Sequence, residues 1–149
     1  MIERFELFSL MISQISSNWH KIASAEMEKY GLKGAYAQYL IAMDHYPEGI
    51  TAAKLCEVCD IDKAAVSRVL SEMEKKNLIE RSGDAGYRAQ VRLTSEGKAA
   101  ALFVAQRAIL AVELAGKGLT EEDRKVFYGA LELIAGNVQA LSKDGIPEA

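Results

Sequence analysis

Lys63, Ala64, Ser67, Arg68 and Ser71 fall on one side of a 3.6-residue period, and Val66, Val69, Leu70 and Met73 fall on the other. A helix with this pattern buries its apolar stripe and shows solvent a face of short side chains interrupted by Lys63 and Arg68. The major groove of B-DNA, about 12 Å wide, admits one such helix, and short side chains let its backbone come close to the base edges. The fork of a guanidinium can then bond a guanine or a phosphate in two places, which makes Arg68 the favoured reader. Further along, Arg88 and Arg92 could reach the minor groove or the sugar-phosphate backbone. Thr51 and Lys54 complete the candidate contact set for double-stranded DNA. Charged residues on a small helical domain are often only solvated surface, and periodicity and charge alone leave that alternative open.

The charge distribution bears on the choice. The chain has 149 residues, a net charge of -3 and an isoelectric point near 5.5. From Lys63 to Arg92, however, seven basic residues face four acidic ones, a local balance of +3. Basic charge is therefore concentrated in one stretch of an acidic chain, and for nucleic-acid binding the distribution counts for more than the sum.

The surrounding elements have to present that face. Half the residues are hydrophobic and 26% are charged, a globular composition with only two prolines, so helix should dominate. Phe5, Phe8, Ile12, Ile15, Trp19 and Ile22 alternate spacings of three and four along a first helix from about Ile2 to Tyr30, with Gly31 as its stop. A second helix spans Ala35 to Tyr46 and ends at Pro47-Glu48-Gly49. Thr51 can cap a short third helix to Val58, and Asp62 the fourth, Lys63 to Lys76, with Asn77 in the left-handed position after it. The period then falls to two over Leu78–Ser82 and Gln90–Leu93, giving a hairpin around Gly83-Asp84-Ala85-Gly86. Thr94 can cap a helix to about Leu114. Thr120-Glu121-Glu122-Asp123 reads as a capping box for a last helix with the stripe Phe127, Leu131, Ile134, Val138 and Leu141. The tail from Lys143 should fray. The expected fold is mainly α with a small β-hairpin wing: a winged helix-turn-helix over 31–93, flanked by N- and C-terminal dimerisation helices at 1–30 and 94–149.

Three runs strengthen this reading. Ile50-Thr51-Ala52-Ala53-Lys54-Leu55, Asp60 through Leu70, and Met73 through Arg81 resemble the core of MarR-type (multiple antibiotic resistance) regulators. Val91-Arg92-Leu93-Thr94-Ser95-Glu96-Gly97 looks like that family's end of wing and start of helix five. The resemblance implies a homodimer built from the terminal helices, with two recognition helices in successive major grooves of a pseudo-palindromic operator. It also implies a transcriptional regulator, often a repressor released by a small effector. Two departures stand out. Asn77 occupies a position that is often Gly, and the wing is about one residue short, with Asp84 followed only by Arg88, where two arginines are usual. An Asp84–Arg88 pair could shape that wing.

Trp19, His20, Tyr36, Tyr39 and Met43 could line a pocket where helices one and two meet, and the resemblance implies an aromatic effector there. The alternative is that Tyr36, Tyr39 and Met43 simply pack the core or an interface. Cys56 and Cys59 are three apart inside a helix, a turn or more beyond its cap, so the dipole gives little help to a redox thiolate; a buried structural role is favoured over a redox or metal sensor. The family's peroxide sensors carry a reactive cysteine in helix one, which this sequence lacks. No metal or cofactor is expected, and no enzyme, since no GxSxG, P-loop, HExxH or dinucleotide fingerprint occurs. With no apolar run long enough for a membrane span and no signal-peptide start, a cytoplasmic protein is expected. The remaining rival is a winged-helix dimer used for protein–protein interaction.

Overall fold

The computed structural model describes residues 2–29, 31–82 and 89–147. Among them, six helices and three strands follow in the order α1 (Ile2–Glu28), α2 (Tyr36–Asp44), β1 (Ile50–Thr51), α3 (Ala52–Cys59), α4 (Lys63–Lys75), β2 (Ile79–Ser82), β3 (Gln90–Leu93), α5 (Ser95–Ala115) and α6 (Glu121–Asp144). This is the expected mainly helical winged helix. The chain divides into two compact units, one reaching Ala108 and the other beginning at Ile109, inside α5.

The first unit holds the hydrophobic core. Tyr36, Tyr39, Leu40 and Met43 of α2, Leu55 of α3, and Val66, Leu70 and Met73 of α4 are buried together. Met27 near the end of α1 and Ala101 and Val104 of α5 join them. The α4 stripe is thus buried as its period requires, with Val69 half-buried at its edge.

Helix ends follow from local chemistry. Gly31 has φ 66, and its N–H donates to the Glu28 carbonyl while that of Leu32 donates to Met27, closing α1. Asn77, at φ 58, ends α4 in the left-handed conformation, and the Leu78 N–H returns to the Met73 carbonyl. Thr94 joins the wing to α5. Its hydroxyl donates to the Asn77 carbonyl at 2.6 Å and accepts from the Gly97 N–H at 3.0 Å. Only glycine fits at 97, because a Cβ there would lie 1.9 Å from the Leu78 carbonyl oxygen.

The sheet is larger than the expected hairpin. It has three antiparallel strands in the order β1-β3-β2, with Ile50 opposite Val91, and Arg81 opposite Val91 on the other side. Two residues at Ile50–Thr51 carry no periodicity of their own; their pairing with β3 makes them a strand. Ile79, Val91 and Leu93 face the core, while Glu80 and Arg92 are exposed.

The second unit contains the end of α5 and all of α6. Thr120 and Asp123 form the expected reciprocal capping box. Arg124 reaches Glu113 at 3.2 Å and the Gly116 carbonyl at 3.2 Å. No residue of α6 is buried, and the helix continues through Lys143 to Asp144. None of the described helices is long and apolar enough to cross a membrane.

Candidate nucleic-acid interface

The α3–α4 corner is built by three local devices. The Thr51 hydroxyl accepts from the Lys54 N–H at 3.2 Å and starts α3. Asp60 takes the left-handed conformation at φ 52, and the Ile61 N–H donates back to the Cys56 carbonyl, ending α3 with a sharp change of direction. Asp62 then caps α4 by accepting from the Ala65 N–H at 2.9 Å. Because α4 is fixed from both its cap and its buried stripe, its opposite face is presented outward.

Lys63, Ala64, Ser67, Arg68 and Ser71 are all exposed on that face. Among the described residues Arg68 has no hydrogen-bond or ion-pair partner, so its guanidinium is available to a ligand. Lys54, on α3, is paired to Glu57 at 2.9 Å, an association that holds its ammonium in the charged form. Thr51 accepts one bond in the cap and keeps its hydroxyl hydrogen and second lone pair for a ligand.

The described wing strands are less basic than their composition. Arg92 donates to Glu80 at 2.7 Å across β2 and β3, where the two face each other in register. Arg81 donates to Glu74 of α4 at 3.0 Å. These pairs lie on exposed surface, so a phosphate can compete with either carboxylate. Arg88 and the Asp84–Arg88 pair lie outside the described residues. Sequence reasoning missed both cross-element ion pairs; the alternation in Glu80 and Arg92 was a signal, but it needed the strand register to become a contact.

A second omission is Glu72, on the flank of α4. Its carboxylate accepts from the Lys33 ammonium at 2.7 Å and from the Tyr36 hydroxyl at 2.7 Å. Those two bonds hold Glu72 below the usual carboxylate range, with Lys33 the larger cause. Burial and the bond to Glu72 push Tyr36 up to about 12.

The five candidate effector residues separate into two groups. Tyr36, Tyr39 and Met43 are buried in the core at 2% exposure or less. Trp19 and His20 are exposed on α1, and His20 bonds through Nδ1 to the Ser16 carbonyl of its own helix at 2.7 Å. Cys56 and Cys59 are half-buried against the core. Burial pushes the Cys59 thiol up, the opposite of what a reactive thiolate needs.

Residues 30–88 match the family model described as MarR family. No curated protein matches the chain in sequence. Among solved structures, a MarR family transcriptional regulator from Listeria monocytogenes, crystallised with a 26mer DNA, superposes with a TM-score of 0.79 at 22% identity, covering 93% of this chain and 95% of that one. The transcriptional regulator SlyA gives 0.81 at 22% identity over 88% of this chain and 93% of its own. A MarR regulator from Methanosarcina mazei Go1 gives 0.80 at 20% identity, with 91% and 92% covered. The MarR family match falls on the helices, the corner and the first wing strand described above, and the solved structures share this fold over the flanking helices as well.

Proposed function

We propose that this chain is a homodimeric, sequence-specific DNA-binding regulator, acting as a repressor that a small effector releases. The carrying observation is the exposed Arg68, unpaired among the described residues, set among short side chains on the outward face of α4 in a winged helix that matches the MarR family model over residues 30–88. The Listeria relative crystallised with DNA supports the same use of the fold here.

On this reading α4 enters the major groove with Lys63, Ala64, Ser67 and Arg68 toward the bases. Thr51, Lys54, Arg88 and Arg92 contact backbone or minor groove. Residues 31–93 are the DNA-binding part, and 1–30 with 94–149 the dimerisation region. Two observations support a dimer. Phe5, Phe8, Ile12, Ile15, Trp19 and Ile22 leave an apolar seam exposed on α1, and Phe127, Leu131, Ile134, Val138 and Leu141 do so on α6. A two-fold dimer would set its recognition helices about 34 Å apart, one turn of B-DNA, on a pseudo-palindromic operator in the cytoplasm. An aromatic effector would meet Trp19 and His20 first, since Tyr36, Tyr39 and Met43 are reached only by opening the core.

The test is fluorescence anisotropy with a labelled duplex from upstream of the chain's own gene and a scrambled duplex, at two salt concentrations. Preference for the upstream duplex, weakening as salt rises, is expected. Absence of binding to either at low salt would remove the DNA-binding reading.

A further inference from the structure

The joint between α1 and α2 is fastened on two sides. Toward α1, the Leu32 N–H bonds the Met27 carbonyl, and Gly34 packs so closely that a Cβ there would lie 2.5 Å from the Ser24 hydroxyl. Toward α4, Lys33 and Tyr36 bond the Glu72 carboxylate, and the Lys76 ammonium bonds the Gly31 carbonyl at 3.2 Å. Three hydrogen bonds therefore link this joint to the helix that carries the candidate reading face.

Glu72 lies four residues beyond Arg68 on the same helix. Side chains at i and i+4 are neighbours, with Cβ atoms about 5–6 Å apart, so an unoccupied carboxylate at 72 is within reach of the Arg68 guanidinium. In the structure that carboxylate is taken by Lys33 and Tyr36, and Arg68 is unpaired among the described residues.

Taking α4 as the DNA-reading helix proposed above, we propose that Glu72 is a sequestered counter-ion of Arg68. While the α1–α2 joint is in place, Lys33 and Tyr36 hold the carboxylate and Arg68 remains available to DNA. When the joint moves away from α4, Glu72 is released, pairs with Arg68 and presents a negative charge beside the groove. Movement of α1, by effector or by partner subunit, is thereby converted into occupation of the reading side chain, with no change in the fold of α4.

The experiment uses the full chain. A Lys33→Met/Tyr36→Phe variant frees Glu72 while keeping apolar bulk at both positions, and adding Glu72→Gln removes the carboxylate it frees. The Arg68 Nε–H signal in NMR, identified by its loss in Arg68→Lys, is expected to shift and exchange more slowly in the double variant. It should return to the wild-type position in the triple variant. Binding to the upstream duplex is expected to fall about two- to fivefold in the double variant, the range set by an exposed ion pair, and to recover in the triple. Glu72→Gln alone should bind at least as tightly as wild type. If removing the carboxylate weakens binding as much as removing its partners, Glu72 is only a structural tie and the proposal fails; an unmoved Arg68 signal in the double variant overturns it too. Lys33→Met alone, which leaves the core untouched, should change both readouts in the same direction by less and covers the case in which the double variant does not fold. Should wild type prefer neither duplex, the regulator reading falls, while the NMR arm still decides whether Glu72 captures Arg68.

Discussion

Helices α4 and α6 carry apolar stripes of the same kind and have opposite fates. In α4, Val66, Leu70 and Met73 are each 1% exposed or less, enclosed by α2, α3 and the sheet. In α6, Phe127 is 45% exposed, Val138 49% and Leu131 38%. An amphipathic period states which side of a helix seeks an apolar partner and is silent on whether the same chain supplies it. The winged helix satisfies its stripes internally. The seams of α1 and α6 leave theirs on the surface of the protomer, which is the physical ground for proposing a second copy.

The comparison breaks most readily at the exposed seams. Replacing Phe127 and Leu131 together by Asp places charge in the proposed interface, at about 2 kcal/mol or more for each. Sedimentation or light scattering should then report a monomer, with far-UV circular dichroism still helical. If the wild-type chain is itself monomeric at micromolar concentration, the seams are not an interface and the contrast loses its meaning.

Cutting into the enclosed stripe should act on stability instead. Leu70→Ala removes a buried side chain from the middle of the core and should cost about 2–5 kcal/mol in denaturant unfolding. A loss below about 1 kcal/mol would mean that α4 is held from elsewhere. On the opposite face of the same helix, Arg68→Ala should cost about 1–3 kcal/mol of DNA affinity with relaxed base preference and little change in stability. Binding as strong and as selective as wild type would take Arg68 out of the reading face. Asp62→Ala, which removes the α4 cap, should lower stability by about 1 kcal/mol; an unaltered unfolding midpoint would show that the corner is held by packing alone.

The smallest effect concerns pH. Arg107, and then Lys29, hold the Glu26 carboxyl at about 2 against an ordinary 4.5. A carboxyl lowered in the folded state adds stability that is fully present above pH 4.5 and is lost as pH falls toward 2. Thermal unfolding of wild type and Glu26→Gln from pH 6 down to pH 2 (about the range that linkage requires) should show the two converging at the acid end. Parallel curves would mean that the pair contributes nothing in solution, as exposed pairs can do.

Much of this molecule was legible before any coordinates. The caps at Thr51, Asp62, Thr94 and Thr120, the left-handed Gly31 and Asn77, and the inward and outward faces of α4 depend on residues within four positions of one another. At that range the backbone geometry is already known once helix is assumed. The two-residue strand β1 could not be seen that way, since it exists only through pairing with Gln90 and Val91, forty residues on. The candidate effector group shows the same limit. Type and place leave Tyr36 as either a pocket wall or a core residue, and which aromatic side chains are sealed in the core depends on what packs over them.

The sequence by itself determined the helices, their caps, the outward face carrying Lys63, Ala64, Ser67 and Arg68, and the class of fold, because each follows from short-range periodicity and hydrogen bonding. Tertiary structure alone decided which charges on that surface remain unpaired. Glu72 meets Lys33 and Tyr36 across 39 and 36 positions, Arg92 meets Glu80 through strand register, and Arg68 is left without a partner among the described residues. An ion pair requires two groups within about 4 Å, and for residues far apart in the chain only the folded backbone sets that distance.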